Sequence, residues 1–241
     1  MDKVSLPHHI SQQFDSELEN LRNRVFAMGG LVEQQVANAV TALTEGNIEL
    51  ANDVIKNDYK VNAMDVEIDE ECMHVIARRQ PTAGDLRLVL AVIKTIADLE
   101  RMGDQAEKVA RMGRQLAEME RPRNGYSEIQ SLGGNVHKMI HGALDAFVRM
   151  DVDAAIEVAK LDRKVDQEYE AIMRQNMTFM MEDPRTIRRV VDVMWAARAL
   201  ERVGDHAKNI CEYIIYLVKG KDVRHISIEQ IEEAVINPAS I

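Results

Sequence analysis

Aromatic residues, proline, glycine and cysteine are all scarce in this chain of 241 residues. Aromatics make up 4%, and there are 5 prolines, 12 glycines and 2 cysteines. All-β folds draw on aromatic and β-branched residues and on frequent Gly/Pro turns, so this composition favours helices. Two cysteines are too few for a disulfide framework, which excludes a small secreted disulfide scaffold and indicates a reducing compartment.

Long apolar runs are also missing. No stretch approaches the ~18 residues of a transmembrane helix, and residues 1–13 lack the apolar core of a signal peptide. With 30 Lys+Arg against 40 Asp+Glu the net charge is −10, which repels phosphate backbones and opposes a nucleic-acid partner. We therefore expect a cytoplasmic, nearly all-helical protein that reaches a membrane only through its partners.

Proline positions divide the sequence into long periodic stretches. Pro81, Pro122 and Pro184 fall between these stretches. Because a helix interior does not tolerate the proline ring, they mark the ends of predicted helices. The predicted helices are 10–45, 48–79, 83–119, 126–150, 152–181 and 185–219, with a short one at 227–236. The segment 123–125 is the one clear linker, so we predict a first domain at 1–122 and a second at 123–241.

The two halves repeat each other. Met28–Gly30 matches Leu132–Gly134 at an offset of 104, and Glu100–Asp104 matches Glu201–Asp205 at an offset of 101. A repeat near 100 residues is too long for a solenoid unit. The sequence therefore predicts an all-α fold of two tandem three-helix bundles, related by internal duplication and pseudo-twofold symmetry.

The strongest motif is the duplicated Glu-Arg-x-Gly-Asp. Its Glu and Asp are four residues apart, so they lie side by side on one helix face and repel each other. Either a bound cation or arginines must compensate this repulsion, and Arg101 and Arg202 are candidates. Apolar periodicity places both acidic pairs on the helix face that points to the core. A second apolar stripe, through Leu99 and Met102, leaves open whether that face still points inward at the level of the motif.

Antiparallel hairpins bring further carboxylates to each pair, because residues equidistant from a turn lie opposite each other. Reflection about Pro81 places Asp58 near Asp104. Reflection about the Asp183-Pro184 turn places Asp162 near Asp205 and Asp166 near Glu201. The same reasoning places His137 and His141 near the second cluster. The predicted metal ligands are Glu100, Asp104, Glu201, Asp205, Asp58, Asp162 and Asp166.

Clustered carboxylates suit hard or borderline divalent and trivalent metals, and bundles build such sites from facing helices. The alternative interpretation is a solvated acidic face, which is common in a chain with 29% charged residues. Duplication of the motif and the reflected partners favour the metal site.

The duplicated motif, together with Gln80–Thr82 and Asp85–Arg87, resembles the PhoU family of phosphate-transport regulatory proteins over essentially the whole chain. The resemblance implies the fold derived above and no catalysis. It implies a dimer that links a phosphate ABC transporter ATPase to a sensor histidine kinase, represses the phosphate-starvation response and restrains phosphate uptake.

Some family members carry multinuclear iron on these motifs. By position, the resemblance assigns Glu100 and Asp104 to one site, and Glu201 and Asp205 to the other, for iron or another divalent metal. Asn62 stands where the second unit has Asp166, which predicts unequal occupancy of the two sites.

Two further hypotheses compete with this adaptor. A metal-dependent helical-bundle enzyme would need an open metal position and a base that activates water. A DNA-binding repressor is opposed by the charge of −10 and by the missing helix-turn-helix signature. Turnover abolished by metal removal would favour the enzyme, and salt-dependent DNA binding would favour the repressor.

Overall fold

The computed structural model describes residues 12–122, 125–224 and 226–236, with side chains up to residue 233. Within these ranges the chain is helical and contains no strand. The helices are α1 (Gln12–Glu45), α2 (Ile48–Asn57), α3 (Tyr59–Arg79), α4 (Ala83–Ala117), α5 (Ser127–Arg149), α6 (Val152–Glu182), α7 (Ile187–Lys219) and α8 (Ile228–Ile236). The predicted start of the first helix at residue 10, and linker residues 123–124, lie outside these ranges.

The helix ends follow local sequence signals. Asp183 accepts a hydrogen bond from the backbone N–H of Arg185 at 3.1 Å and begins a short 3-10 turn, Pro184–Thr186, that leads into α7. Gly220 ends α7 in the left-handed region, with φ 70°. These stop and start signals were readable from the sequence because each depends on a single residue type.

The single helix predicted at 48–79 is wrong, because two helices, α2 and α3, meet at Asp58. The side chain of Asn57 donates to the carbonyl of Asp53 at 2.7 Å. Asn and Asp side chains compete with the backbone hydrogen bonds of a helix, and here two of them are adjacent. The break places Asp58 at a helix junction, whereas its repeat equivalent, Asp162, lies inside the continuous helix α6.

Each half of the chain forms a bundle, which confirms the predicted all-α tandem architecture. The first consists of α1, the α2–α3 pair and α4, and the second of α5, α6 and α7. The bundles join mainly through α4 against α7, with α1 against α5 beside them. A single apolar core runs through both. The boundary predicted between residues 122 and 123 follows the end of α4 by five residues and stays a prediction.

A buried polar contact lies at the junction of the two bundles. His206 Nδ1 on α7 is 2.7 Å from Asp98 Oδ1 on α4, and Asn209 donates to the same oxygen at 3.3 Å. The repeat equivalents of Asp98 and His206 are Ala199 and Gln105, so the symmetry-related pair cannot form the same contact. This contact occurs on one side of the pseudo-twofold axis only.

None of the helices in the described ranges combines the length and the apolar character that crossing a bilayer requires.

Helix α4 packs against α1 so closely that only glycine fits at one position. A Cβ added to Gly113 would lie 2.9 Å from the Cα of Leu43 and 3.1 Å from its backbone nitrogen. Backbone atoms cannot rotate aside as a side chain can. By contrast, a Cβ added to Gly30, an exposed glycine of α1, would meet no atom within 4 Å.

We predict that Gly113→Ala lowers the free energy of unfolding by about 1–3 kcal/mol, because α1 and α4 must separate to admit the methyl group. Gly30→Ala is the matched control, and it should raise that free energy by up to about 1 kcal/mol through helix propensity. Urea unfolding followed by circular dichroism measures both. Equal effects of the two substitutions would contradict the close packing.

Candidate functional site

The first acidic cluster forms where the α2–α3 junction meets α4. Burial, followed by the charges of Glu107 and Asp104, raises the pKa of Asp58 above its ordinary value. Burial also raises the pKa of Glu100, and the charges of Asp104 and Asp65 add to this effect. The structure therefore brings Asp58, Glu100 and Asp104 together, as hairpin reflection placed them.

A buried oxygen in this cluster has no partner. Asp58 accepts a hydrogen bond from Asn62 at 3.2 Å on Oδ2, while its buried Oδ1 has no hydrogen-bond partner among the described residues. Gln35, on α1, is 4% exposed, and both polar atoms of its amide are likewise unpartnered there. Sequence reasoning missed Gln35. Its repeat equivalent is the apolar Met139, and no neighbouring residue indicates that a polar side chain is buried at this position.

The glycine of each motif sets the distance between the helices. A Cβ on Gly103 would lie 3.3 Å from Cγ1 of Val61 and 3.5 Å from Oδ1 of Asp58. In the second bundle, a Cβ on Gly204 would lie 3.3 Å from Cγ1 of Val165. The motif glycine thus lets α4 and α7 approach the preceding helix closely, and this approach packs the carboxylates of two helices against each other.

The second cluster contains cations that the first lacks. Lys208 Nζ donates to Asp162 Oδ2 at 2.6 Å, and Arg198 Nη1 donates to Glu201 Oε1 at 2.6 Å. Asp162 and Glu201 are buried, and the other oxygen of each has no hydrogen-bond partner in the described ranges. The repeat equivalents of Lys208 and Arg198 are Glu107 and Ala97, so the first bundle has no counterpart of either cation.

Carboxyl groups of the second cluster are also hard to ionise. Burial raises the pKa of Glu201, of Asp205 and of Asp166, and neighbouring carboxylates of the same cluster raise each further. Asp205 is an exposed residue, but its carboxyl group is partly surrounded by protein. This burial and the charge of Asp162 raise the pKa of Asp205. Burial lowers the pKa of Lys208, but its hydrogen bond to Asp162 and the charge of that carboxylate outweigh this effect.

The arginines inside the motifs do not form the salt bridges considered for them, although the charge of Arg101 partly offsets the rise in the pKa of Glu100. Arg101 and Arg202 are exposed, and neither forms a salt bridge with a carboxylate in the described part of the chain. Arg198 and Lys208 fulfil this role in the second bundle, because they lie one turn on either side of the motif, and Lys208 bonds Asp162 of α6 while Arg198 lies over the ring of Tyr169 on α6. Sequence spacing alone did not single out these two residues from the other charges.

The histidines expected near the second cluster lie elsewhere. His137 Nε2 and His141 Nδ1 are 3.3 Å and 3.1 Å from the same oxygen of Glu33, on α1. Helix α5 packs against both α6 and α1, and this pair of histidines faces α1 across the two bundles. Reflection within one hairpin could not reveal a contact with the other bundle.

The acidic clusters fit a metal ion in their chemistry but not in their spacing. The donors are carboxylates, which hard cations prefer, and three of them keep a buried oxygen without a partner. Nevertheless, no group of three or more His, Cys, Asp and Glu side chains in the described ranges is arranged closely enough to hold a metal. The donor chemistry fits a metal, and coordination would require the side chains to converge further than they do here.

Repulsion within the first cluster leads to a prediction on stability. Because folding raises the pKa of Asp58 and Glu100, ionisation of these groups disfavours the folded state. Their contribution to stability is complete below their ordinary pKa values near 4 and is lost as the pH rises through the folded values. Asp58→Asn/Glu100→Gln should therefore stabilise the protein at pH 7 by roughly 0.5 kcal/mol or more in EDTA.

Urea unfolding at pH 7 and near pH 4 would measure this effect, and the advantage of the double variant should disappear at the lower pH. Glu70→Gln, at an exposed position of α3, is the control that removes one charge outside the cluster. A double variant that is less stable than the parent at pH 7 would show that these carboxylates are net stabilising in the folded state.

Comparison with known proteins gives one consistent result. The PhoU domain family matches residues 25–112 and 129–214, which together exceed half of the chain. The chain is 52% identical over 237 residues to the phosphate-specific transport system accessory protein PhoU homolog of Pseudomonas aeruginosa, covering 98% of both chains. It is 49% identical over 234 residues to the corresponding PhoU of Escherichia coli K12, covering 97% of this chain and 96% of that one.

Solved structures agree with this result. The crystal structure of PhoU from Pseudomonas aeruginosa superposes with a TM-score of 0.84 at 51% identity, over 87% of this chain and 100% of the other. The phosphate transport system regulatory protein PhoU from Streptococcus pneumoniae gives 0.82 at 30% identity, over 88% and 99%. The accessory-protein names of the relatives confirm the prediction that the chain is not an enzyme. On this identity over nearly the whole length, the chain belongs to the PhoU family.

Proposed function

We propose that this protein is a regulatory adaptor of phosphate homeostasis. It links a phosphate ABC transporter ATPase to a sensor histidine kinase, represses the phosphate-starvation regulon and restrains phosphate uptake. The observation that carries the proposal is 49–52% identity to accessory proteins of phosphate-specific transport systems along 97–98% of the chain. An adaptor of this kind works in the cytoplasm as a homodimer and meets the membrane only through its partners.

The acidic clusters provide the chemistry for docking in this proposal. The first cluster presents three partly exposed carboxylates, and the second presents Asp166 and Asp205, in a chain whose net charge is −10. Such faces attract basic regions of the kinase or the transporter ATPase. Complementary charge of this type mainly sets the encounter rate and the choice of partner.

We also propose that the clusters hold multinuclear iron or another divalent metal. Asp58, Glu100 and Asp104 would hold it in the first bundle. Asp162, Asp166, Glu201 and Asp205 would hold it in the second. When bound, the metal supplies positive charge that offsets the repulsion between the carboxylates. Three buried oxygens that have no hydrogen-bond partner among the described residues, together with the raised pKa values, support this assignment.

The two sites should differ in affinity. A metal in the second bundle competes with Lys208 for Asp162 and with Arg198 for Glu201. In the first bundle, Asp58 accepts a hydrogen bond from the neutral amide of Asn62, and Arg111, whose charge acts on Asp58, is bonded to Glu107. Although Asn62 removes one carboxylate from that site, a metal there competes with no lysine or arginine bonded to Asp58. We therefore place the tighter site in the first bundle.

A phosphate-starvation reporter tests the regulatory role. In cells from which this gene is deleted, alkaline phosphatase should be high in ample phosphate, and restoring the gene should silence it. Glu201→Ala/Asp205→Ala should restore less repression, because the second docking face loses the exposed carboxylate of Asp205 and the buried carboxylate that holds Arg198. Glu19→Ala/Asp153→Ala removes two exposed carboxylates outside both clusters and is the matched control. A low reporter in the deletion strain would overturn the regulatory assignment.

Metal content tests the site assignment separately. Purified protein loaded with Fe²⁺ under reducing conditions and then desalted should retain iron, and its melting temperature should rise. Glu100→Ala/Asp104→Ala should lose the more tightly held iron, and Glu201→Ala/Asp205→Ala the weaker fraction. Iron retained equally by both variants and by the Glu19→Ala/Asp153→Ala control would remove the clusters from metal binding.

A further inference from the structure

Two histidines and a glutamate meet at the surface where the two bundles join. His137 and His141 lie four residues apart on α5, and Glu33 lies on α1. The Oε1 atom of Glu33 is 3.3 Å from Nε2 of His137 and 3.1 Å from Nδ1 of His141. The acidic clusters, and the docking proposed for them, involve none of these three side chains.

Glycines at the crossing of α1 and α5 bring these side chains together. A Cβ on Gly133 would lie 2.7 Å from Cγ2 of Val40, and a Cβ on Gly29 would overlap the side chain of Leu144. The two contacts occupy repeat-equivalent positions at the offset of 104, so the pseudo-twofold axis relates them. The helices therefore cross as a close antiparallel pair, with the carboxylate of α1 opposite the histidine pair of α5.

All three side chains can be reached from solution. The side chain of His141 is 71% exposed, that of His137 is 44% exposed and that of Glu33 is 20% exposed. A pairing at such exposure contributes at most about 1 kcal/mol to stability. Stability is therefore a weak reason for this grouping, whereas a dissolved ion has access to every member of it.

The donor set is one that transition-metal ions prefer. Imidazole nitrogens suit zinc, copper and nickel, and a carboxylate oxygen joins them in many such sites. Histidines at i and i+4 lie on one helix face, which is the spacing at which two imidazoles of a helix bind one zinc ion. The acidic clusters offer only carboxylate oxygens, which harder cations prefer.

The distances from the carboxylate match such a site. In a tetrahedral zinc site with bonds of about 2.0–2.1 Å, neighbouring donor atoms are about 3.3 Å apart, and the two separations from Glu33 Oε1 are 3.3 Å and 3.1 Å. Among the described residues, no three side chains of this kind are already arranged to hold an ion. The rings must therefore turn toward each other as the ion binds, and exposed side chains such as His141 change rotamer rapidly.

An alanine occupies the fourth position around the axis. At the offset of 104, Glu33 corresponds to His137 and Ala37 corresponds to His141. Ala37 is therefore placed relative to His137 as His141 is placed relative to Glu33. It is partly exposed. An ion held by the three side chains would have water at this position, as zinc sites with three protein ligands do.

We propose that Glu33, His137 and His141 bind a divalent transition-metal ion of the class that prefers imidazole, represented by zinc. The ion bonds one imidazole nitrogen of each histidine and the carboxylate of Glu33, and water completes its coordination. Because the carboxylate belongs to the first bundle and the imidazoles to the second, the bound ion links the two bundles. The inference goes beyond the phosphate-signalling role and does not depend on it.

Calorimetric titration of the full-length protein with Zn²⁺ tests the site. The buffer contains millimolar Mg²⁺, which competes for the carboxylate clusters but not for imidazole. The parent protein should bind one more zinc ion than His137→Gln/His141→Gln does. Glu33→Gln should weaken binding at this site about tenfold or more. His74→Gln removes an exposed histidine of α3 that has no second histidine one turn away, and this matched control should bind like the parent.

A gain of affinity tests the geometry in the opposite direction. Ala37→His should tighten zinc binding about tenfold or more, because a fourth protein ligand replaces water. Since an ion that binds only the folded state stabilises it, zinc should raise the melting temperature of the parent and should raise that of Ala37→His further. It should raise that of His137→Gln/His141→Gln less. Circular dichroism measures the melting and confirms that each variant is folded.

Three results would overturn the proposal. Equal zinc stoichiometry in the parent and in His137→Gln/His141→Gln would show that the histidines only form hydrogen bonds with Glu33. Loss of the extra ion in His74→Gln as well would trace the signal to capture by single exposed imidazoles. Zinc binding that Ala37→His leaves unchanged would show that the ion does not lie at the crossing of α1 and α5.

Discussion

The contact between a glycine and a valine on adjacent antiparallel helices determines how this protein presents its carboxylates. Gly103 faces Val61 in the first bundle, and Gly204 faces Val165 in the second, each with 3.3 Å between the valine methyl and the position of a Cβ. At that spacing, acidic side chains from both helices share one partly buried space. The raised pKa values follow from this crowding, because burial and like charge both disfavour ionisation.

Duplication provides two acidic clusters of this kind, and sequence divergence has given them different neighbouring charges. In the second bundle, Lys208 and Arg198 each bond one buried carboxylate. In the first, the corresponding positions are Glu107 and Ala97, and Asp58 lies at a helix break near Gln35, whose amide has no hydrogen-bond partner among the described residues. Two buried carboxylates of the second cluster therefore bond a cation directly, whereas in the first cluster Arg111 and Arg101 act on Asp58 and Glu100 through their charge and bond neither of them.

The two bundles also differ in how completely they are built. Helix α1 begins at Gln12, whereas α5 begins at Ser127, which corresponds to residue 23 at the repeat offset of 104. The polar contact between Asp98 and His206 occurs once, at the junction of α4 and α7. Asymmetry of this kind gives the two halves of this repeat protein different surfaces.

The sequence by itself determined the helical class, the duplication, most helix ends and the convergence of Asp58 with Asp104 and of Asp162 with Asp205. These follow from periodicity, from single residues such as Asp183 and Gly220, and from hairpin geometry, all of which act over short distances along the chain. Only the tertiary structure decided the break at Asp58, the pairing of Lys208 with Asp162 and the contact of His137 with Glu33. Each of these depends on which of several neighbouring helices a side chain faces, and a periodic pattern fixes a helix face without fixing what packs against it.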